Sequence, residues 1–137
     1  MEIRDFRVIV SGAVSAEAVF SDVPLCFWGG VDPKTGLVTD VHHPLLGQSI
    51  SGKILCIPCD RGSCSSSGVM LEMIRNRTHP AGIVCMEAEA VLALGPLIGE
   101  KVYQRSIPIR TVPEKEYKDL RHAHIITFTE DSILVFE

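Results

Sequence analysis

Two short stretches of uninterrupted apolar residues, each followed by a segment that reads as helical, constrain this chain more than any other feature. Residues 53–58 hold Ile54-Leu55-Cys56-Ile57, and residues 81–86 hold Ile83-Val84-Cys85-Met86. A strand with no polar alternation has no face to give to water, so both read as strands buried on both sides, the first in the middle of a sheet. Between them, Val69 and Met73, and likewise Met70 and Ile74, stand four apart and share one helical face. The run Ser63-Cys64-Ser65-Ser66-Ser67-Gly68 precedes them as an N-cap signal, and Asn76 between Arg75 and Arg77 suits the other end. Pro80 closes that unit, and residues 87–94 read as a second helix stopped at Gly95-Pro96. The order strand, helix, strand, helix predicts an α/β domain.

Around this centre the pattern is β. Phe6, Val8 and Val10 alternate within residues 4–14, and residues 17–20 read as the partner in an opening antiparallel pair. Residues 107–110 predict a further short strand, 114–120 one or two helical turns, and 125–128 with 133–136 a closing hairpin across Thr129-Glu130-Asp131-Ser132. Residues 24–51, rich in Gly, Pro, His and Asp, form a long irregular excursion, and ordered loops of that length are usually functional. At 137 residues, 46% of them hydrophobic, the chain fits a single domain spanning 1–137. A domain of this size buries roughly two-thirds of its unfolded surface and needs neither disulfides nor a structural metal.

Thirteen Lys and Arg against 17 Asp and Glu give a formal net charge of −4, with the bases scattered, which argues against nucleic acid as a partner. No apolar run approaches the roughly 20 residues that span a bilayer, and Met1-Glu2-Ile3-Arg4-Asp5 has no signal-peptide pattern. The expectation is a soluble, cytoplasmic protein without a membrane partner. Its five cysteines, at 26, 56, 59, 64 and 85, are odd in number and irregular in spacing, as reduced thiols are. Asn76-Arg77-Thr78 fits the N-glycosylation pattern, which carries little weight without an export signal.

Several motifs fail on their context. Gly47-Gln48-Ser49-Ile50-Ser51-Gly52-Lys53 matches seven positions of a phosphate-binding loop, but Ile54 stands where magnesium needs a hydroxyl, and a strand follows instead of a helix. Cys56-Ile57-Pro58-Cys59 lies on the apolar strand, away from the helix start that would activate a thiol, and no second ligand pair completes a zinc site. Cys56 and Cys85 read as buried thiols, whereas Cys59 and Cys64 flank the serine run. His42-His43 lies in the long excursion either as substrate ligands or as turn residues; His79, His122 and His124 read as structural or solvated, and Trp28 as a packing anchor.

The strongest constellation is Arg61-Gly62-Ser63 at a strand-to-helix junction. Glycine permits a tight turn there, and the amides that follow face whatever binds, which favours anions. An ordinary serine cap is the plainer reading, although a cap does not need the arginine. The Gly-x-Ser-x-Gly elbow of hydrolases is absent, so acyl transfer has little support.

Five ordered motifs carry a resemblance. They are Phe27-Trp28-Gly29-Gly30-Val31-Asp32-Pro33-Lys34-Thr35-Gly36; Asp40-Val41-His42-His43-Pro44-Leu45-Leu46-Gly47-Gln48-Ser49; Gly52-Lys53-Ile54-Leu55; Arg61-Gly62-Ser63-Cys64 with Ser67-Gly68-Val69-Met70-Leu71-Glu72; and Glu87-Ala88-Glu89. In this order the chain resembles, from about residue 8 to residue 110, the small subunit of the aconitase X family. No motif is recognised in the 27 residues after that. The resemblance implies a swivelling β/β/α domain, equivalent to the mobile fourth domain of aconitase, that closes over an active site built mainly by a separate large subunit.

It also implies a hydro-lyase in which Ser63 is the proton-abstracting base; around it Arg61, Gly62, Cys64, Ser65, His42 and His43 are the candidate contacts of a small hydroxy-acid substrate. Family members include cis-3-hydroxy-L-proline dehydratase, whose reaction gives Δ1-pyrroline-2-carboxylate, and an archaeal phosphomevalonate dehydratase of the mevalonate pathway. The Arg-Gly-Ser-Cys form followed by Ser-Gly-Val is similar to the bacterial hydroxyproline enzymes. The resemblance places an iron–sulfur cluster or a single metal ion on the large subunit, and the cysteines here match no cluster spacing, so this chain is assigned no metal ligand. Two other classes stay open: a non-catalytic lid or assembly domain, and a stand-alone small-molecule binding domain.

Overall fold

In the computed structural model, residues 1–59, 64–88 and 90–137 are described, without the side chains of 64, 65, 90 and 91. The strands are β1 (Glu2–Ile3), β2 (Arg7–Val10), β3 (Val14–Phe20), β4 (Ile54–Cys56), β5 (Gly82–Cys85), β6 (Ile109–Thr111), β7 (Ile125–Phe128) and β8 (Ile133–Phe136). The helices are α1 (Phe27–Gly30), α2 (Cys64–Asn76), α3 (Ala90–Tyr103) and α4 (Glu114–Lys118), the last running into a 3-10 turn over Asp119–His122. The strands form one eight-stranded mixed sheet, a half-barrel, in the order β1-β8-β7-β3-β4-β5-β6-β2. Its centre is parallel: β3, β4, β5 and β6 run the same way, joined by crossovers that contain α2 and α3.

The apolar runs behave as their lack of alternation requires. Leu55, Ile57, Ile83, Cys85 and Ile109 enter one core with Met70, Met73, Ile74 and Leu92 of the helices. Ile54, Cys56 and Val84 enter a second core with Ile126, Phe128, Ile133, Tyr117 and Leu120. Neighbouring residues on one strand thus face opposite cores, and neither face meets solvent. Arg110 ties the second core together: its guanidinium donates to the carbonyls of Ser132 and Thr129 and lies between the rings of Phe6 and Phe128.

Three expectations are corrected. The opening antiparallel pair does not form: β2 pairs with β6 at one edge of the sheet, while β3 lies between β7 and β4. Residues 4–20 alternate well enough to be strands, but alternation does not name a partner. The second helix does not stop at Gly95-Pro96; α3 begins at Ala90 and passes through both residues to Tyr103. A Cβ on Gly95 would stand 3.0 Å from the Cβ of Met70 and 3.0 Å from the carbonyl oxygen of Ser67, so glycine here lets two helices touch. Trp28 does not anchor the long loop, being 65% exposed; Phe27 beside it is fully buried and takes that part.

Residues 24–51 fold back over the helical core through Leu25, Phe27, Val31, Val38, Leu45 and Ile50. Asn76 and Thr78, from the glycosylation-like triplet, both donate to the carbonyl of Pro33, holding the loop against the end of α2. Arg77 between them has a φ of 61°, the left-handed geometry that ends helices.

Candidate functional site

Parallel strands that alternate with helices leave a crevice at their carboxyl ends, and ligands bind there in open α/β sheets. Here that edge gathers the separate motifs of the sequence. The connection that leaves β4 carries Pro58 and Cys59 and leads through residues 60–63 to α2; the connection that leaves β5 carries Met86, Glu87 and Ala88 and leads to α3. The amides of Met86 and Glu87 donate to the carbonyl of Pro58 at 2.9 and 3.3 Å, so the two connections are bound side by side. Glu87-Ala88 and Pro58-Cys59 therefore share one edge, although they are distant in sequence.

The long loop reaches the same edge. Phe20, the last residue of β3, is in register with Cys56, and the Ser21 amide donates to the Cys56 carbonyl. The buried Tyr117 hydroxyl donates to the Ser21 carbonyl at 2.6 Å, and its burial, with nearby acidic groups, pushes its pKa far up and keeps it a donor. Three residues past β3, the Val23 carbonyl lies 3.1 Å from Nε2 of His43, whose Nδ1 accepts the Leu45 amide at 3.1 Å. With Nδ1 accepting, Nε2 carries the proton and donates. His43 is 5% exposed and pins the loop to the sheet edge, whereas its neighbour His42 is exposed.

Of the expected site residues, Arg61, Gly62 and Ser63 lie outside the described residues, as does Glu89. Cys64 and Ser65 open α2, as a serine run before an apolar periodic segment requires; their side chains are outside the description. Ser66 is fully buried with its hydroxyl unpaired among the described residues. His79 is half-buried, and desolvation, then the Arg105 charge, lowers its pKa.

Among the described residues no three His, Cys, Asp or Glu side chains converge as a metal site would need. Cys56 and Cys85 are fully buried in opposite cores, and burial raises the Cys56 pKa far above that of a ligating thiolate. Two cavities among the described residues bear on the site. The larger, about 310 Å³, lies by the β2–β3 turn and Arg110, whose two terminal nitrogens donate to the carbonyls named above while its buried Nε has no partner among the described residues. The smaller, about 240 Å³, lies at the carboxyl edge between β2, β6 and the β5–α3 connection; Arg7 and Glu87, which line it, were missed as site residues because only the sheet order brings β2 there.

A half-barrel mixed sheet with two crossover helices on one face is the architecture of a swivelling domain. The chain belongs to the Aconitase X swivel domain family, whose profile matches residues 3–135. The match takes in the closing hairpin, where no motif had been legible. The cis-3-hydroxy-L-proline dehydratase of Pseudomonas aeruginosa is 43% identical over 109 residues, covering 80% of this chain and 19% of that protein. The phosphomevalonate dehydratase small subunit of Methanothermobacter thermautotrophicus is 47% identical over 94 residues, covering 69% of this chain and 72% of that one. The crystal structure of Thermococcus kodakaraensis aconitase X in its holo-form superposes with a TM-score of 0.84 at 31% identity, covering 100% of this chain and 99% of that one. The chain spans about a fifth of the length of the first two curated relatives, both cis-3-hydroxy-L-proline dehydratases. No helix among the described residues is long and apolar enough to cross a membrane.

Proposed function

We propose that this chain is the small subunit of a cytoplasmic hydro-lyase and eliminates water from cis-3-hydroxy-L-proline together with a large subunit. The observation that carries the reading is the shared edge, where Pro58 of the β4–α2 connection is hydrogen-bonded to Met86 and Glu87 of the β5–α3 connection, in a chain that matches the family over residues 3–135. In the proposed reaction Ser63 takes the proton from Cα, the freed pair forms the Cα–Cβ double bond, the hydroxyl on Cβ leaves with the C–O pair and takes up a proton from solvent to become water, and Ser63 returns its proton to solvent. The enamine that results tautomerises to Δ1-pyrroline-2-carboxylate. Serine acts as a base only as an alkoxide, which Arg61 and the amides opening α2 would stabilise. In the same reading Gly62, Cys64, Ser65 and His42 line the substrate, and His43 holds the loop that presents His42.

The iron–sulfur cluster or metal ion that the resemblance implies is assigned to the large subunit, where it would supply Lewis acidity for the departing hydroxyl. Exposed apolar residues on α3 support a contact with that subunit. Leu94, Leu97, Ile98 and Val102 are 43–57% exposed and recur at helical spacing. In the proline dehydratase relatives the region similar to this chain belongs to a polypeptide about five times as long, and other relatives are named small subunits. The large subunit is the occupant these relatives point to. Replacing Leu97 and Ile98 together by glutamate is expected to weaken co-purification with the large subunit at least tenfold while the circular dichroism of the chain is unchanged. Full retention of the complex would place the contact elsewhere.

A second reading has its own support. Relatives that share most of their length with this chain, 72% in Methanothermobacter thermautotrophicus and 76% in Methanopyrus kandleri, are phosphomevalonate dehydratase small subunits. The deciding assay gives the co-purified two-subunit protein cis-3-hydroxy-L-proline and 5-phosphomevalonate in parallel. Turnover of the proline supports the first reading, turnover of phosphomevalonate alone supports the second, and turnover of neither defeats the dehydratase assignment.

A further inference from the structure

We propose that Arg7 is a substrate-binding residue that holds a carboxylate in the cavity of about 240 Å³ at the carboxyl edge of the sheet. The identity of the ligand as the dehydratase substrate rests on the function proposed above; the existence of the carboxylate site does not.

The register of three strands places the group. Arg7 of β2 lies opposite Thr111 of β6, and Thr111 lies opposite Cys85, the last residue of β5. Arg7 is therefore two strand positions, roughly 10 Å, from the point where the chain leaves β5 for the Glu87-Ala88 motif. Side chains opposite each other share a face, so Arg7 lies on the helical side of the sheet with Ile9, and the cavity forms between them, Thr111 and residues 86–88. The β5–α3 connection lining this cavity is the one bound to Pro58 of the β4–α2 connection.

The charge of Arg7 is uncommitted. Arg4, Arg75 and Arg121 pair with Glu2, Glu72 and Asp22, and Arg105 and Arg110 donate to backbone carbonyls. Among the described residues Arg7 has no ion pair, although Glu87 lines the same cavity. A guanidinium offers two parallel donors to a carboxylate, and Thr111 adds a hydroxyl. Glu87 sets the limit on ligand charge: it repels a phosphate dianion more strongly than a monoanion, which selects a carboxylate.

The reaction chemistry gives such a group a use. When the Cα–H bond breaks, its electron pair delocalises onto the carboxylate oxygens before the Cβ–O bond opens and the hydroxyl departs with a proton as water. A cation on those oxygens is worth more in that transition state than in the ground state.

The first test is an NMR titration of the isotope-labelled full chain with sodium acetate and, separately, inorganic phosphate at equal ionic strength. Acetate is expected to move the amides of Ile9, Ala88 and Thr111, phosphate to move them less, and Arg7→Gln to abolish the shifts. Absent shifts, equal shifts in Arg7→Gln, or a stronger response to phosphate would overturn the carboxylate site. In the two-subunit protein, Arg7→Gln is expected to lower kcat/KM about 10- to 100-fold, as loss of a charge-assisted hydrogen bond does, with part of the loss restored by Arg7→Lys. Unchanged kcat/KM in a complex that turns over substrate would refute the role of Arg7 and leave the dehydratase reading standing. If the wild-type complex is inactive on both substrates, that reading fails, and the titration still decides the site.

Discussion

Ser63→Ala is expected to lower turnover by the two-subunit protein by about 10²- to 10⁴-fold, the usual contribution of a positioned base, while folding and assembly remain intact. The sequence position carries this expectation. Ser63 immediately precedes Cys64, the first residue of α2, on the connection that leaves the central strand β4. The amides that open a helix stabilise negative charge, which is what a serine acting as a base requires. The measurement is single-turnover dehydration beside a gel-filtration profile of the complex. A loss of rate with an unchanged profile separates a base from a lid, because a lid needs the shape of this domain and not the hydroxyl. Near-normal turnover would move the base role to Ser65 or to the large subunit.

The largest expected effect on stability comes from Gly95→Val, at about 3 kcal/mol of destabilisation, or roughly 10 °C in Tm. The new Cβ would meet the Cβ of Met70 and the carbonyl oxygen of Ser67 at 3.0 Å, and neither is the movable end of a side chain. Relief requires α2 and α3 to separate, which opens the core lined by Met70, Met73, Ile74 and Leu92. The control is Gly68→Ala on α2, where none of the described residues lies within 4 Å of the added Cβ. There the higher helix propensity of alanine is expected to stabilise the chain by about 0.5–1 kcal/mol. Thermal melts of the two variants read both signs; a neutral Gly95→Val would mean that the helices do not cross as closely as described.

The two predictions also show where local sequence is informative. Gly95-Pro96 reads as a helix stop because, taken alone, each residue disfavours helix. The helix continues because its packing against α2 demands a residue without a side chain at 95, a requirement written in Met70 and Ser67, some 25 residues earlier. Trp28 and Phe27 make the same point. Both are large and aromatic, and only the fold of residues 24–51 decides which is buried. Arg7 was passed over as one of many scattered bases; without the sheet order nothing puts it beside Glu87.

The sequence by itself determined the buried strands β4 and β5, the serine-opened helix α2, the closing hairpin and the family, because each rests on short-range pattern: unbroken apolar runs, four-residue spacing, turn chemistry, ordered motifs. Tertiary structure alone decided that β2 leaves β3 for the far edge beside β6, that α3 passes through its proline, and that Arg7, Glu87, Pro58 and His43 lie along one edge of the sheet. The reason is physical. A strand's alternation records which face is buried, but the choice of neighbour is made by packing across the whole sheet, and no single segment carries that information.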